Sequence, residues 1–376
     1  MKERQDYIDN IRVFLTILVI LHHTAITYGA PGGWYYKEPV EGLVPGLLLT
    51  VFVATNQAFF MGLFFFLSSY FIPASLARKG SFAFLIERVK RLGIPIILYC
   101  LIISPVTIYL LIKLGYNSPV SFVDYYLHRD DWINIGVLWF TAALLLFTFI
   151  YWLIPSSGNA KKTIALKLPG NLSIFFFAFA LGVVSFLVRI FFPVGWVLPL
   201  AGFQPAHFPQ YIALFTLGIV AYRNDWLSSL TRGHGKLWLT VALLLIFLGF
   251  PGIYFLKVIT NSEIDAFMGG FTIQSFVNSV WEQMLGISLS LAVLAIGKYN
   301  WTTQGKLMKE LSRSAYNVYI IHPMIVVFIS LMIKDVAAPS LLKFLITGSL
   351  SILLSFVAGA MLTRMTEKEL RRKASR

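Results

Sequence analysis

Cysteine is nearly missing from this sequence: there is one, Cys100, among 376 residues. That count excludes a disulfide framework and a cysteine metal cluster. Charge is scarce as well. Asp, Glu, Lys and Arg make up 13% of the chain, against about 25% in an ordinary soluble domain. So little polar side chain cannot cover a soluble globule. A disordered chain has the opposite balance, rich in charge and poor in aromatics. Acids are the scarcer sign, 17 against 31 Lys and Arg, leaving a net charge of +14. Internal repeats, low-complexity tracts and a Pro/Gly/Ser linker are also absent. The chain reads as one membrane domain, residues 1–376, ending in a basic tail over 365–376.

What is abundant is apolar. Hydrophobic residues are 57% of the chain, with 33 Phe, 17 Tyr and 9 Trp. Apolar windows of about 20 residues, the length that crosses a bilayer, predict ten helices. They lie at 8–29, 45–74, 93–114, 134–154, 171–192, 207–222, 236–256, 270–297, 314–334 and 341–364. The second and eighth are long, which predicts tilt, a kink or an interfacial first turn; the sixth is short. The expected fold class is all-α, a polytopic transmembrane helix bundle. The first span carries Asp9, Arg12, His22 and His23, unlike the apolar core of a secretory signal, and is expected to be retained.

Charge placement predicts orientation. With the N-terminus in the cytosol and sides alternating, all but seven of the 31 Lys and Arg fall on the cytosolic side. The exceptions are Lys37, Lys113, Arg129, Arg189, Lys257, Lys334 and Lys343. The acids divide evenly, and Glu282 lies within a span. Both termini are therefore expected to be cytosolic, in a multi-pass protein of the plasma (inner) membrane. The positive excess is a cytosolic face, suited to anionic lipid or a phosphorylated ligand and not to nucleic acid.

Ionisable residues inside spans are expensive and default to functional candidates. The first helix has the densest set. At 100° per residue, with Arg12 at zero, His23 falls at about 20°, Thr16 at about 40°, and Asp9 and Thr27 at about 60°. His22 lies about 80° to the other side. Arg12 and His23 are separated by about 16 Å along the axis, one at the inner surface and one near the bilayer midplane. A rim cation can hold a phosphate while an imidazole that far below acts as base on the other end of a long ligand. Coenzyme A is such a ligand. Asp9, one turn from Arg12, is placed to orient its guanidinium. The same pattern also suits an interfacial Asp9–Arg12 ion pair with His23 as a packing residue.

Other candidates each carry two readings. Arg88 and Arg91 share one face of an interfacial helix (81–92), with Arg78, Lys79 and Lys90 nearby. They suit coenzyme A phosphates or plain anchoring to anionic lipid. Glu282, flanked by Trp281 and Gln283, must be paired, neutral or beside water; pairing with Arg12, orienting His23 and binding a sugar hydroxyl are its functional options, an interhelix hydrogen bond its structural one. His322 precedes Pro323, which is expected to kink the helix and free a carbonyl; it either lines the cavity of His23 or packs. Trp139 and the Trp34–Tyr35–Tyr36 cluster suit the aromatic belt or sugar stacking. His128, His207 and His234 lie near loops, and no spacing predicts a metal site.

Residues 7–29, YIDNIRVFLTILVILHHTAITYG, resemble the first helix of the acyltransferase-3 family of integral membrane proteins, which carries an arginine, ten residues, then a histidine. Arg12 and His23 fit that spacing. FFFLSSYFI (64–72), RVKR (88–91) followed by Pro95, LWFTAALL (138–145) and SAYNVYIIHPMIV (314–326) resemble further family segments in family order. Ser69 stands where the family usually has Gly. The resemblance covers nearly the whole chain. It implies transfer of an acyl group, often acetyl or succinyl, from cytosolic acyl-CoA (acetyl-CoA or succinyl-CoA) to a hydroxyl of an extracytoplasmic glycan, lipid or cell-wall component. It implies His23 as the catalytic residue and Arg88 and Arg91 in handling the donor.

The expected mechanism follows. Phosphates rest on Arg12, Arg88 and Arg91. His23 deprotonates the acceptor hydroxyl for attack on the thioester, or forms a covalent acyl-His. Ser68, Ser69 or a tyrosine hydroxyl is the candidate oxyanion donor. A proton-coupled transporter or flippase is the rival reading, fitted by Glu282, His322 and the proline-interrupted helices.

Overall fold

A computed structural model describes residues 6–154, 166–199 and 201–374. Lys2, Arg4, Lys161, Lys162 and Arg376, assigned above to the cytosolic side, lie outside the described residues. The described residues are helical, with one isolated bridge, Leu198 to Phe203, and no strand.

Eleven helices matter here. They are α1 (Asp6–Thr27), α2 (Leu43–Lys79), α3 (Ser81–Gly115), α4 (Phe122–His128), α5 (Gly136–Leu153), α6 (Asn171–Phe191), α7 (Phe208–Arg223), α8 (Arg232–Ile259), α9 (Ile273–Asn300), α10 (Lys306–Met332) and α11 (Ser340–Ala374). Among the described residues, nine are long and apolar enough to cross a membrane, all but α4 and α7. The expected sixth span is α7. Its 16 residues reach about 24 Å, short of a bilayer core of about 30 Å. The interfacial helix expected at 81–92 and the span expected at 93–114 are one helix, α3, 35 residues long. Most of the basic tail continues α11.

Two of the three wide turns of α3 have an identifiable cause. Segments Val89–Gly93 and Tyr99–Ile103 widen to π-helix shortly before Pro95 and Pro105. A proline has no N–H for the carbonyl four residues back, and a local widening accommodates the lost bond.

The chain divides into two compact units. The first comprises Met1–Val53, Pro95–Leu138 and Trp301–Arg376. Here α1 is held against α10 and α11 through Val13, Ile20, Val318, Val326 and Phe356. In lipid, helix association rests on close packing and small residues, not on hydrophobic burial. The face of α11 toward its neighbours is accordingly small: buried Thr347, Ser351 and Ser355, with Gly348 against Leu21 of α1 and Gly359 against Val318 of α10. The hydroxyls of Thr16, Thr24 and Thr27 donate to carbonyls four residues back at 2.8, 2.8 and 3.1 Å, so α1 carries polar side chains through the apolar layer with their donors satisfied.

The second unit comprises Ala54–Ile94 and Trp139–Asn300. Its centre is α9, packed on α2 and α8 through Ala58, Ala242, Trp281 and Leu285. A side chain at Gly286 would meet the Ala58 carbonyl oxygen at 2.1 Å, so only glycine permits that approach of α9 to α2. Gln210 of α7 bridges the junction, donating to the Ala58 carbonyl (2.7 Å) and to Gln283 Oε1 (2.9 Å).

Candidate active site

Three aromatic nitrogen heterocycles meet in the first unit. His23 of α1, Trp34 of the segment after α1, and His322 of α10 lie nearly parallel. The His23 ring centre is 3.9 Å from Trp34 and 5.4 Å from His322, with interplanar angles of 12° and 20°. His22 meets His23 edge-on at 5.5 Å. Trp34 reaches this place because its segment folds back along the end of α1. The Glu38 amide donates to the Thr27 carbonyl (2.7 Å), the Tyr28 hydroxyl pairs with Thr347 of α11 (2.8 Å), and Lys343 of α11 holds the Glu38 carboxylate at 2.8 Å. Tyr36 donates to the same carboxylate; burial, then the Glu38 charge, raises its phenol above the ordinary range.

The tautomer of His322 follows from its neighbour. Pro323 withholds an N–H from the Tyr319 carbonyl four residues back. That carbonyl lies 2.8 Å from His322 Nδ1. A carbonyl only accepts, so Nδ1 carries the proton and Nε2 a lone pair. Among the described residues, Nε2 is buried without a hydrogen-bond partner, as are His23 Nδ1 and Trp34 Nε1. A buried polar atom left unpaired costs about 1–3 kcal/mol. Three such atoms lie on adjacent stacked rings.

At the other end of α1, Arg12 Nη1 pairs with Asp9 Oδ1 at 3.1 Å. The spacing of Arg12 and His23 on one straight helix retains the separation of about 16 Å read from the sequence.

In the second unit, Arg88 and Arg91 line a cavity of about 220 Å³ together with Arg78, Lys79, Glu87, Ser75, Ala74 and Phe71. Four cations face one carboxylate there, and Lys79 is paired with Glu87. Arg88 also stacks over the Phe84 ring at 5.1 Å. Lys90, on the same segment, is not part of this lining.

Glu282 is held by partners of its own unit. Its Oε1 accepts from Arg189 Nη2 at 2.8 Å and lies 3.1 Å from His207 Nδ1. Arg189, assigned above to an outer helix end, is wholly buried; it also donates to Ser279 Oγ (3.2 Å) and the Ala206 carbonyl (3.3 Å). His207 leads to Tyr211, whose ring stacks on Trp139 at 5.5 Å, so Glu282 and Trp139 belong to one network. Ser69 is spent: its hydroxyl donates to the Phe66 carbonyl at 3.0 Å, where an oxyanion donor needs a free O–H. Ser68 is half-buried.

Sequence reasoning missed Arg189 and His207 as partners of Glu282, and Trp34 as a partner of His23. Arg189 carried a signal, a lone cation in the last turn of the otherwise apolar α6. Trp34 carried none, since only the fold of its segment brings it to His23. Among the described residues no cluster of three or more His, Cys, Asp or Glu side chains is placed to hold a metal ion.

The profile of the acyltransferase-3 family, described as an acyltransferase domain, matches residues 5–360. The chain belongs to the acyltransferase-3 family. It is an integral, multi-pass membrane protein carrying an acyltransferase domain. The acyltransferase is similar to glucans biosynthesis protein C of Escherichia coli strain SMS-3-5, 27% identical over 239 residues, which are 61% of this chain and 60% of the relative. The chain thus matches about 60% of that relative's length. Glucans biosynthesis protein C of Escherichia coli O81 (strain ED1a) is 25% identical over 356 residues, 91% of this chain and 87% of the relative. That of Shigella dysenteriae serotype 1 is 27% identical over 239 residues, 61% and 60%. No solved structure matches the acyltransferase.

Proposed function

We propose that this acyltransferase moves an acyl group, acetyl or succinyl, from cytosolic acyl-CoA to a hydroxyl of an extracytoplasmic glycan, lipid or cell-wall component, with both termini in the cytosol and the bundle in the plasma (inner) membrane. The observation that carries this reading is the parallel His23–Trp34–His322 group with its three unpaired nitrogens. Names of the relatives support a glucan as one acceptor class.

In this mechanism His23 takes the proton of the acceptor hydroxyl. The oxygen then attacks the thioester carbonyl carbon, and the C–S bond breaks as the tetrahedral centre collapses. His23 returns the proton to the departing thiolate, so the histidine ends as it began. The indole N–H of Trp34 donates to the oxyanion, a role in which a fixed, water-poor donor is worth most. His322 Nε2, held as a lone pair by the Tyr319 carbonyl, accepts from the acceptor and orients it. Arg12, positioned by Asp9, receives the donor's phosphates; the four cations of the Arg88–Arg91 cavity, within the second unit, are suited to phosphate in their own right. Glu282 acts within the second unit by keeping Arg189 and His207 in place.

The test uses purified full-length protein in lipid nanodiscs with radiolabelled acetyl-CoA, read as thioester cleavage or label transfer. His23→Ala is expected to lower the rate at least ~100-fold, the lower end of what a general base contributes, with expression unchanged. Near-wild-type turnover by that variant overturns the mechanism. Mass spectrometry of surface glycans and lipids from cells with and without the protein identifies the acceptor.

A further inference from the structure

Arg129 follows the last turn of α4 in the first unit. Its side chain is 6% exposed. None of Nε, Nη1 and Nη2 has a hydrogen-bond partner among the described residues. Its Cζ lies 4.2 Å from the ring centres of both Tyr126 and Trp132, whose planes meet at 81°. The guanidinium therefore sits in an aromatic corner. The ring faces offset its charge but offer no oxygen to its N–H groups.

The surroundings are built in the same sense. Tyr126 is fixed by a bond from its hydroxyl to the Leu101 carbonyl, 3.2 Å, the very carbonyl that Pro105 leaves free. The hydroxyl of Tyr125 is also buried, with no hydrogen-bond partner among the described residues. Tyr125 is within electrostatic reach of Arg129, Asp131 and Tyr35, and burial pushes its phenol up to about 12, which keeps it a donor. Asp130 and Asp131 are exposed; Asp131 accepts from Asn134.

A buried guanidinium without acceptors is costly, and its planar fork fits two oxygens of one group. We propose that Arg129 anchors an oxyanion site, taking a carboxylate or phosphate edge-on between the aromatic corner and the Tyr125 hydroxyl. The proposal does not depend on the acyl-transfer reading. Its ligand has two sources of like chemistry: a soluble anion, or a phospholipid headgroup, for which the exposed Val123, Leu127 and Ile133 beside it provide an apolar setting.

Thermal unfolding of the full chain in neutral detergent tests this, with inorganic phosphate, acetate or phosphatidylglycerol added at matched ionic strength against chloride. The wild type is expected to be stabilised by an oxyanion in a saturable way, and Arg129→Gln to bind it at least ~tenfold more weakly. Response to phosphate or acetate identifies a soluble ligand; response to phosphatidylglycerol alone identifies a headgroup. Arg129→Lys, which keeps the charge and loses the fork, and Tyr125→Phe are both expected to weaken binding, and they carry the test if Arg129→Gln does not fold. No response to any of the three probes, or equal responses in wild type and folded variants, overturns the proposal.

Discussion

Glu282 is buried at one carboxylate oxygen between Arg189 and His207. Two charges of a buried pair stabilise little beyond their own desolvation, whereas removing one leaves the other uncompensated at about 3–5 kcal/mol. Glu282→Gln is therefore expected to lower the unfolding temperature of the purified protein clearly. Arg189→Met combined with Glu282→Met should regain much of that loss, because the orphaned charge is gone. Calorimetry in detergent checks both; an unchanged transition for Glu282→Gln means that the pair carries no net stability. At this scale the sequence was half legible. An acid inside an apolar run announces itself, and so does the Arg12–His23 spacing along one helix. Partners do not: Arg189 lies 93 residues from Glu282 and His207 lies 75, and nothing local in sequence links them.

Elements were read well where apolar periodicity alone determines them, and less well where length or proline does. Most predicted spans match the observed helices to within several residues; α7 is too short to cross by itself, α3 absorbs an interfacial segment, α10 begins at Lys306 and not 314, and α11 runs on to Ala374 and not 364. Proline is the more instructive case. Pro323 and Pro105 each leave a carbonyl unclaimed, and each carbonyl is taken by a side chain of consequence: Tyr319's by His322, Leu101's by Tyr126. The freed carbonyl was predictable from Pro323, but which donor would take it was not. Pro323→Ala returns an N–H that competes for the Tyr319 carbonyl. The helix is expected to hold at least as well, since proline in a helix interior is unfavourable by about 3 kcal/mol before neighbours compensate. Acyl transfer is expected to drop, because His322 loses the bond that sets its tautomer. A well-folded Pro323→Ala protein with an unaltered rate breaks that link.

For the whole molecule, orientation rests on charge and is open to a direct test. Gly33 and Gly170 have open space where a side chain would stand, so a cysteine at either, in a Cys100→Ser background, disturbs little. A membrane-impermeant maleimide is expected to label Gly33→Cys in intact cells and Gly170→Cys only after permeabilisation. The opposite pattern reverses the cytosolic assignment of both termini and of the Arg88–Arg91 cavity. Composition made the membrane class plain, and the small-residue face of α11 explains how its first unit holds without hydrophobic drive. The division into two units was not legible, because it depends on which distant stretches pack together.

That division has a consequence for how the protein is made. The first unit is stitched from three separated stretches, and the second lies mostly between them. His23 and Trp34 leave the ribosome early and His322 late; at roughly 5–20 residues per second the interval is tens of seconds. Through that time α1 waits in the bilayer with its stripe of Asp9, Arg12 and His23 and without α10 beside it. The Arg88–Arg91 cavity is encoded, and its stretch synthesised, well before the histidines can meet. The histidine group is thus the last of these features to form, and it closes only when the penultimate helix arrives.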